Sequence, residues 1–117
     1  MGKVRVAIPT KGRKGLEDAV SEVFGKSRFF TIVDIDGAEV KKVQTIENPA
    51  ASYKYGSGPV AVKTLADLAV ELVLGPEFGP GAANLLELHE MKKIVVAPNT
   101  RVADSLTELR KDSTQSQ

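Results

Sequence analysis

Two glycine–proline turns, Gly56-Ser57-Gly58-Pro59 and Gly79-Pro80-Gly81-Ala82, each stand immediately ahead of a helix-patterned segment. The first turn of a helix carries backbone N–H groups without intrahelical partners and the positive end of the peptide dipole, so it is suited to hold an anion. Glycine lets a ligand approach the backbone closely. Proline suits the first helical position, where its missing N–H costs nothing. Basic residues stand in two further segments: Lys11, Arg13 and Lys14 in a glycine-containing stretch, and Lys26 and Arg28 on either side of Ser27. These cations and two helix starts, gathered on one side, would make an anion site. Neither turn is a nucleotide fingerprint. Gly79-x-Gly81 has Asn84, and Gly56-x-Gly58 has Ala61, where a third glycine is required, and no P-loop exists, since Gly25-Lys26-Ser27 has Val20 where its first glycine is required. Taken alone, the Lys11 to Lys14 run has the composition of a solvated loop, and the Gly79 turn that of a tight strand-to-helix connection.

The elements that must position these residues follow from hydrophobic period. Val4 to Pro9 alternates as a strand, and Leu16 to Val23 reads as a short helix or turn. Phe29 to Ile35 and Val40 to Ile46 are strand-like, with Asp36-Gly37 as the hairpin turn between them. The spacing becomes helical from Val60 to Ala69, extended over Val70 to Leu74, helical again over Pro80 to Met91, and extended over Ile94 to Ala97. Thr100 is the expected N-cap of a last helix carrying Val102, Leu106 and Leu109. Strands separated by helices imply parallel pairing with right-handed crossovers, and the hairpin implies one antiparallel member. The expected fold is therefore α/β, a five-stranded mixed sheet of order 3-2-1-4-5 with strand 2 antiparallel. Residues 1–111 form one domain in this reading, and the polar stretch 112–117 a flexible tail. The Lys-Gly loop, the start of strand 2, the end of strand 3 and both helix starts then share one rim, outside the carboxyl ends of the parallel strands, where open α/β sheets bind ligands.

Composition narrows the chemistry. The 117 residues contain no Cys, which removes disulfides, thiolate catalysis and Cys-ligated metal centres. Lys plus Arg is 16 against 15 for Asp plus Glu, a formal net charge of +1 with no basicity that marks a nucleic-acid binder. No apolar run approaches membrane-spanning length. No apolar signal stretch follows Met1, and a cytoplasmic protein is expected. His89, the single histidine, falls late in a helix whose end points away from the rim, where a charged imidazole favours the dipole. Asp34 and Asp36 share a strand face near the hairpin, and turn chemistry accounts for them. Tyr53 and Tyr55 flank the rim loop, placed either to cover a ligand or to pack that loop on the sheet.

Three segments carry a family resemblance: Val20-Ser21-Glu22-Val23-Phe24-Gly25-Lys26-Ser27-Arg28-Phe29-Phe30, Glu47-Asn48-Pro49, and Gly75-Pro76-Glu77-Phe78-Gly79-Pro80-Gly81-Ala82. In these the chain resembles the dinitrogenase iron-molybdenum cofactor biosynthesis family, over roughly residues 3 to 109. The resemblance implies a ribonuclease H-like three-layer domain. It also implies a binding or carrier role for iron-molybdenum cofactor or its precursors, or for a molybdenum–copper sulfide cluster held without covalent attachment, as in the orange protein of sulfate reducers. Val23 stands where family members often have His, and Lys26 where Arg is usual, which keeps the charge but loses the bidentate fork. Without His or Cys at the step, the cluster would be held by charge and backbone N–H groups.

The expected function is a non-catalytic binder or carrier of an anionic metal–sulfur cluster or cofactor precursor, with a protein partner in delivery and with neither nucleic acid nor membrane involved. The expected cofactor-binding residues are Lys11, Arg13, Phe24, Gly25, Lys26, Ser27, Arg28, Asn48, Gly56, Gly58, Gly79 and Gly81; no catalytic residue and no metal-ligating side chain is assigned. The alternative is a regulatory or interaction domain that binds a small anion or a partner. A ribonuclease H-like hydrolase ranks below both, because two-metal chemistry needs gathered carboxylates and the expected rim offers only Glu47, Glu77 and Asp104.

Overall fold

The computed structural model describes residues 2–115. The chain runs β1 (Lys3–Thr10), a 3-10 turn (Gly15–Glu17), β2 (Phe29–Asp36), β3 (Glu39–Glu47), α1 (Ser57–Asp67), β4 (Leu72–Gly75), α2 (Pro80–Leu88), β5 (Lys92–Val95) and α3 (Val102–Gln115). The five strands form one sheet in the order β3-β2-β1-β4-β5. β2 is antiparallel to both β1 and β3, while β1, β4 and β5 are parallel. Order and directions are those expected from the alternation of patterns.

Burial explains the run-like strands. Along β2, Phe30 and Ile32 enter one core cluster and Val33 and Ile35 another, so the strand is apolar on both faces. The first core lies under α1 and α2, where Ala61, Val62, Leu65 and Leu86 meet Ala7, Phe30, Ile32 and Val73. The second lies under α3, where Val102 and Leu106 meet Val6, Ile8, Val33, Leu72 and Leu74. Each fully buried Val or Leu of these layers contributes roughly 1.5–3 kcal/mol relative to exposure. β3, at the sheet edge, keeps polar residues among its apolar ones because its outer side meets solvent. In its register Asp34 faces Lys42 while Ile35 faces Val40, so Lys41 is an extra residue, a bulge. Val40 and Val43 consequently fall on the same side, that of Val33 and Ile35. Gly37 takes φ +65° in the hairpin, a conformation that favours glycine.

Four boundaries differ from the pattern reading. The first helix begins at Ser57, so Pro59 sits in its first turn but not at its first position; Pro80 does occupy the start of α2. Thr100 is not the cap of α3: the carbonyl of Arg101 accepts the amides of Asp104 and Ser105, so Arg101 holds that place. The region read as a helix or turn over Leu16 to Val23 contains only the 3-10 turn. Beyond it, Val20 bridges to Thr10 and Ala19 to Arg101, tying the segment between β1 and the start of α3. α3 continues to Gln115, past the boundary at residue 111, and residues 116 and 117 lie outside the described residues.

Candidate functional site

Thr10 pairs with Phe29 and Phe29 with Glu47, so the end of β1, the start of β2 and the end of β3 share one rim of the sheet. β4 is parallel to β1 and ends there at Gly75. α1 and α2 follow β3 and β4, and their first turns meet at this rim: a Cβ on Gly58 would lie 3.9 Å from the Cβ of Ala82. A Cβ on Gly25 would lie 3.0 Å from both Cα and N of Gly58, and 3.1 Å from Ser57 Oγ. The Phe24-Gly25 step is therefore seated directly on the first turn of α1, and only glycine fits there. Phe24 anchors the step, its ring 5.6 Å from that of Phe30 and 5.2 Å from that of Phe78, which precedes α2. Both helix starts are free of side-chain caps, Gly56 turning with φ +75° and Gly79 extended. No side chain stands within 4 Å of a Cβ placed at Gly56, Gly79 or Gly81, so the backbone is open to close approach there. On this face the structure brings together Phe24, Gly25, Gly56, Gly58, Gly79 and Gly81.

The basic residues are distributed differently. Phe29 alternates with Phe30 and so lies on the opposite, α3 face of the sheet. The guanidinium of Arg13 lies 4.7 Å from the centre of the Phe29 ring and that of Arg28 lies 5.3 Å from it. Arg13 also pairs with Glu47 at 2.5 Å, and Lys11 Nζ donates to Asn99 Oδ1. The expected cations share the rim with the helix starts but Arg13 and Arg28 stack on its other face. Lys26, next to Gly25, and Arg28 are exposed and form no ion pair among the described residues.

Ser27 and Asn48 are buried, with their side chains committed to the rim's own architecture. Ser27 Oγ lies 3.2 Å from the carbonyl of Thr10 and 3.0 Å from that of Phe29. Asn48 Nδ2 donates to the carbonyls of Gly25 and Ser27 at 2.9 and 2.8 Å, and its Oδ1 accepts the amide of Ala50 at 3.0 Å. Both therefore hold loops in place.

Three features were not read from the sequence. The buried carboxylate of Asp18 accepts the amides of Lys14 and Ala19, each at 2.8 Å, and Gly12 leaves room for it. The Lys-Gly loop thus already encloses an anion of its own. Stacking of two guanidiniums on Phe29 required knowing which face Phe29 takes. Finally, Asp34 is not explained by turn chemistry. It pairs bidentately with Arg5, Nε–Oδ1 at 2.7 Å and Nη2–Oδ2 at 3.2 Å, while Arg5 Nη1 closes the end of α1 on the carbonyl of Leu68 at 2.7 Å. The hydrogen bonds from Arg5 hold the Asp34 carboxyl below its ordinary pKa, with partial desolvation opposing and the charges of Arg5 and Lys42 adding to the lowering. The cross-strand register Arg5↔Asp34 is the signal that finds this pair. The pair borders a groove of about 620 Å³ at the end of the sheet opposite the rim, shared with Lys3, Lys42 and Glu71.

His89 closes the C-terminal end of α2 and is exposed. Tyr53 and Tyr55 are exposed, Tyr55 at 83%, so they do not pack the loop on the sheet. Among the described residues no group of three or more His, Cys, Asp or Glu side chains is placed to hold a metal ion, and no helix is long and apolar enough to cross a membrane. The donor set of the rim, backbone N–H groups and uncommitted cations, suits an anion gripped by its outer atoms.

The fold recurs in solved structures. The apo form of the orange protein from Desulfovibrio gigas superposes with a TM-score of 0.82 at 22% identity, covering 92% of this chain and 88% of that one. TM1290 from Thermotoga, assigned to the DUF35 family, superposes at 0.74 with 28% identity over 92% and 88% of the two chains. An uncharacterized protein of Methanocaldococcus jannaschii, MJ0580, is 26% identical over 84 residues, 72% of this chain and 67% of its own length. The family described as dinitrogenase iron-molybdenum cofactor matches residues 2–112. The loops that build the rim, Phe24-Gly25 through Gly81, all lie inside that match, and the chain belongs to the dinitrogenase iron-molybdenum cofactor family.

Proposed function

We propose that this chain is a non-catalytic carrier of an anionic metal–sulfur cluster or cofactor precursor of iron-molybdenum or molybdenum–copper type, taken up at the rim on the α1/α2 face. The observation that carries the reading is the meeting of two uncapped helix starts, with the Phe24-Gly25 step seated on one of them. Their N–H groups and dipoles favour negative charge, and Lys26 adds a cation beside Gly25. The glycines at Gly56, Gly79 and Gly81 leave the backbone accessible to a polyatomic ligand. Arg13 and Arg28, held on Phe29, contribute field from the other face, and Lys11 is tethered by Asn99. The cargo arrives with its inner coordination sphere complete, because the rim's donors suit outer atoms and not a bare metal ion.

The three layers, two helices over one face of the sheet and one over the other, support the ribonuclease H-like classification implied by the family resemblance. Exposed Val23, Tyr53 and Tyr55 at the rim loops support a protein partner in delivery. The direct test is titration of the purified protein with tetrathiomolybdate, alone and with copper. It is followed by visible absorption and by the backbone amide resonances of Gly25, Lys26, Arg28, Ser57, Gly58, Gly81 and Ala82. A bound chromophore with shifts confined to these amides supports the carrier. A colourless protein with unmoved rim amides refutes it.

A further inference from the structure

The loop Phe24–Arg28 has an unequal hydrogen-bond inventory. Four of its five carbonyls are consumed internally: that of Phe24 by the Ser27 amide at 3.2 Å, those of Gly25 and Ser27 by Asn48 Nδ2, and that of Arg28 by the Asn48 amide at 2.9 Å. Among the described residues the amides of Gly25, Lys26 and Arg28 have no such acceptor. One buried carboxamide, tied at its other end to the Ala50 amide, thus decides which backbone groups the loop keeps and which it offers. We propose that Asn48 is the positioning residue of the rim: by drawing the carbonyls of the Phe24–Arg28 loop inward, it leaves the amides of Gly25, Lys26 and Arg28 as donors for an anion. Successive backbone amides without internal acceptors, as at Gly25 and Lys26, can form an anion-receiving concavity. The arrangement also commits four of the loop's carbonyl oxygens, which would repel an anion, to internal donors. Asn48 itself does not touch the ligand, since both its Nδ2 donations and its Oδ1 are occupied.

This inference rests on the carrier reading, and its test separates the two. In the wild-type chain, tetrathiomolybdate should shift the Gly25, Lys26 and Arg28 amides while the Asn48 carboxamide resonances stay in place. Asn48→Ser, which loses the reach to both carbonyls, should bind tetrathiomolybdate at least tenfold more weakly. The absorption maximum of the bound anion should not move, and the amides of Ser27 and residue 48, bonded to the carbonyls of Phe24 and Arg28, should exchange with solvent faster. Wild-type affinity in Asn48→Ser, a displaced absorption maximum, or Asn48 carboxamide shifts larger than those of the loop amides would overturn the assignment. Should the variant fail to fold, the wild-type resonance pattern alone decides. A wild-type chain that binds no tetrathiomolybdate refutes the carrier. In that case, unchanged amide exchange in Asn48→Ser would refute the positioning role as well, and faster exchange would uphold the hold on the loop.

Discussion

Gly25→Ala is the sharpest perturbation of the rim. The added methyl carbon would sit 3.0 Å from the Cα and N of Gly58 and 3.1 Å from Ser57 Oγ. Carbon contacts are most favourable at about 3.5–4.0 Å, so the loop and the helix start must part by roughly half an ångström. The obstructing atoms at 3.0 Å belong to the backbone of α1, which cannot rotate aside as a side chain does. Moving the loop in the other direction strains Phe24 against Phe30 and Phe78, and stretches the bonds from Asn48. Overpacking of this kind costs about 1–3 kcal/mol. For 117 residues the unfolding entropy is roughly 0.25 kcal/mol per degree, so the melting temperature should fall by about 4–12 °C. Differential scanning calorimetry measures this directly, with Gly79→Ala as the control, since a Cβ there meets nothing within 4 Å. A Gly25→Ala protein melting within a degree of wild type would refute the close seating of the loop on α1, and with it the geometry of the proposed site.

Gly81→Ala separates stability from binding. A Cβ at Gly81 meets no atom within 4 Å, so alanine in the first turn of α2 should raise stability by up to about 1 kcal/mol, while its methyl hinders close approach and weakens tetrathiomolybdate binding in the same absorbance titration. Removing both uncommitted cations, as Lys26→Ala with Arg28→Ala, should lower affinity about tenfold at low salt, with the difference shrinking as ionic strength rises. Only the stacking of Arg28 on Phe29 is lost from the fold, about 0.5–1 kcal/mol. Asp18→Ala leaves the amides of Lys14 and Ala19 without their acceptor and should cost about 1–3 kcal/mol in urea denaturation. Asp34→Asn should destabilise by about 1–2 kcal/mol at pH 7. Because the folded carboxyl is held below its unfolded pKa of about 3.9, the contribution is present above that value and disappears as pH falls through the folded one. The wild-type and Asp34→Asn stability curves should therefore converge in acid.

Strand order and direction were legible because they depend on period and connectivity alone. The apolar runs of β2 and β4 and the hairpin at Gly37 leave few compact arrangements. The rim as one end of the sheet followed from the same logic. Which face of that end each residue takes did not follow. Phe29 and Phe30 are adjacent and identical in type, yet one stacks with Arg13 and Arg28 and the other enters the core with Phe24. The role of Asn48 was hidden for a related reason: a polar residue after a strand reads equally as ligand or as clamp, and only the occupancy of its three hydrogen-bonding positions distinguishes them. Asp18 was obscured by its lysine neighbours, which suggest a loop awaiting an anion when the loop already encloses one. Arg5 and Asp34 are 29 residues apart and become partners only once the register is fixed.

The Lys41 bulge bears on strand pairing between copies of the chain. An open sheet has two rows of main-chain groups with no neighbour, and either can recruit a strand from another molecule. At one border β5 is only four residues long and starts with two lysines. At the other, β3 is nine residues long, and the register shift at Lys41 interrupts its regular repeat beside Lys42. An incoming strand would lose alignment there and meet adjacent ammonium groups, so lateral growth into ribbons is discouraged at both borders while the rim stays clear for cargo.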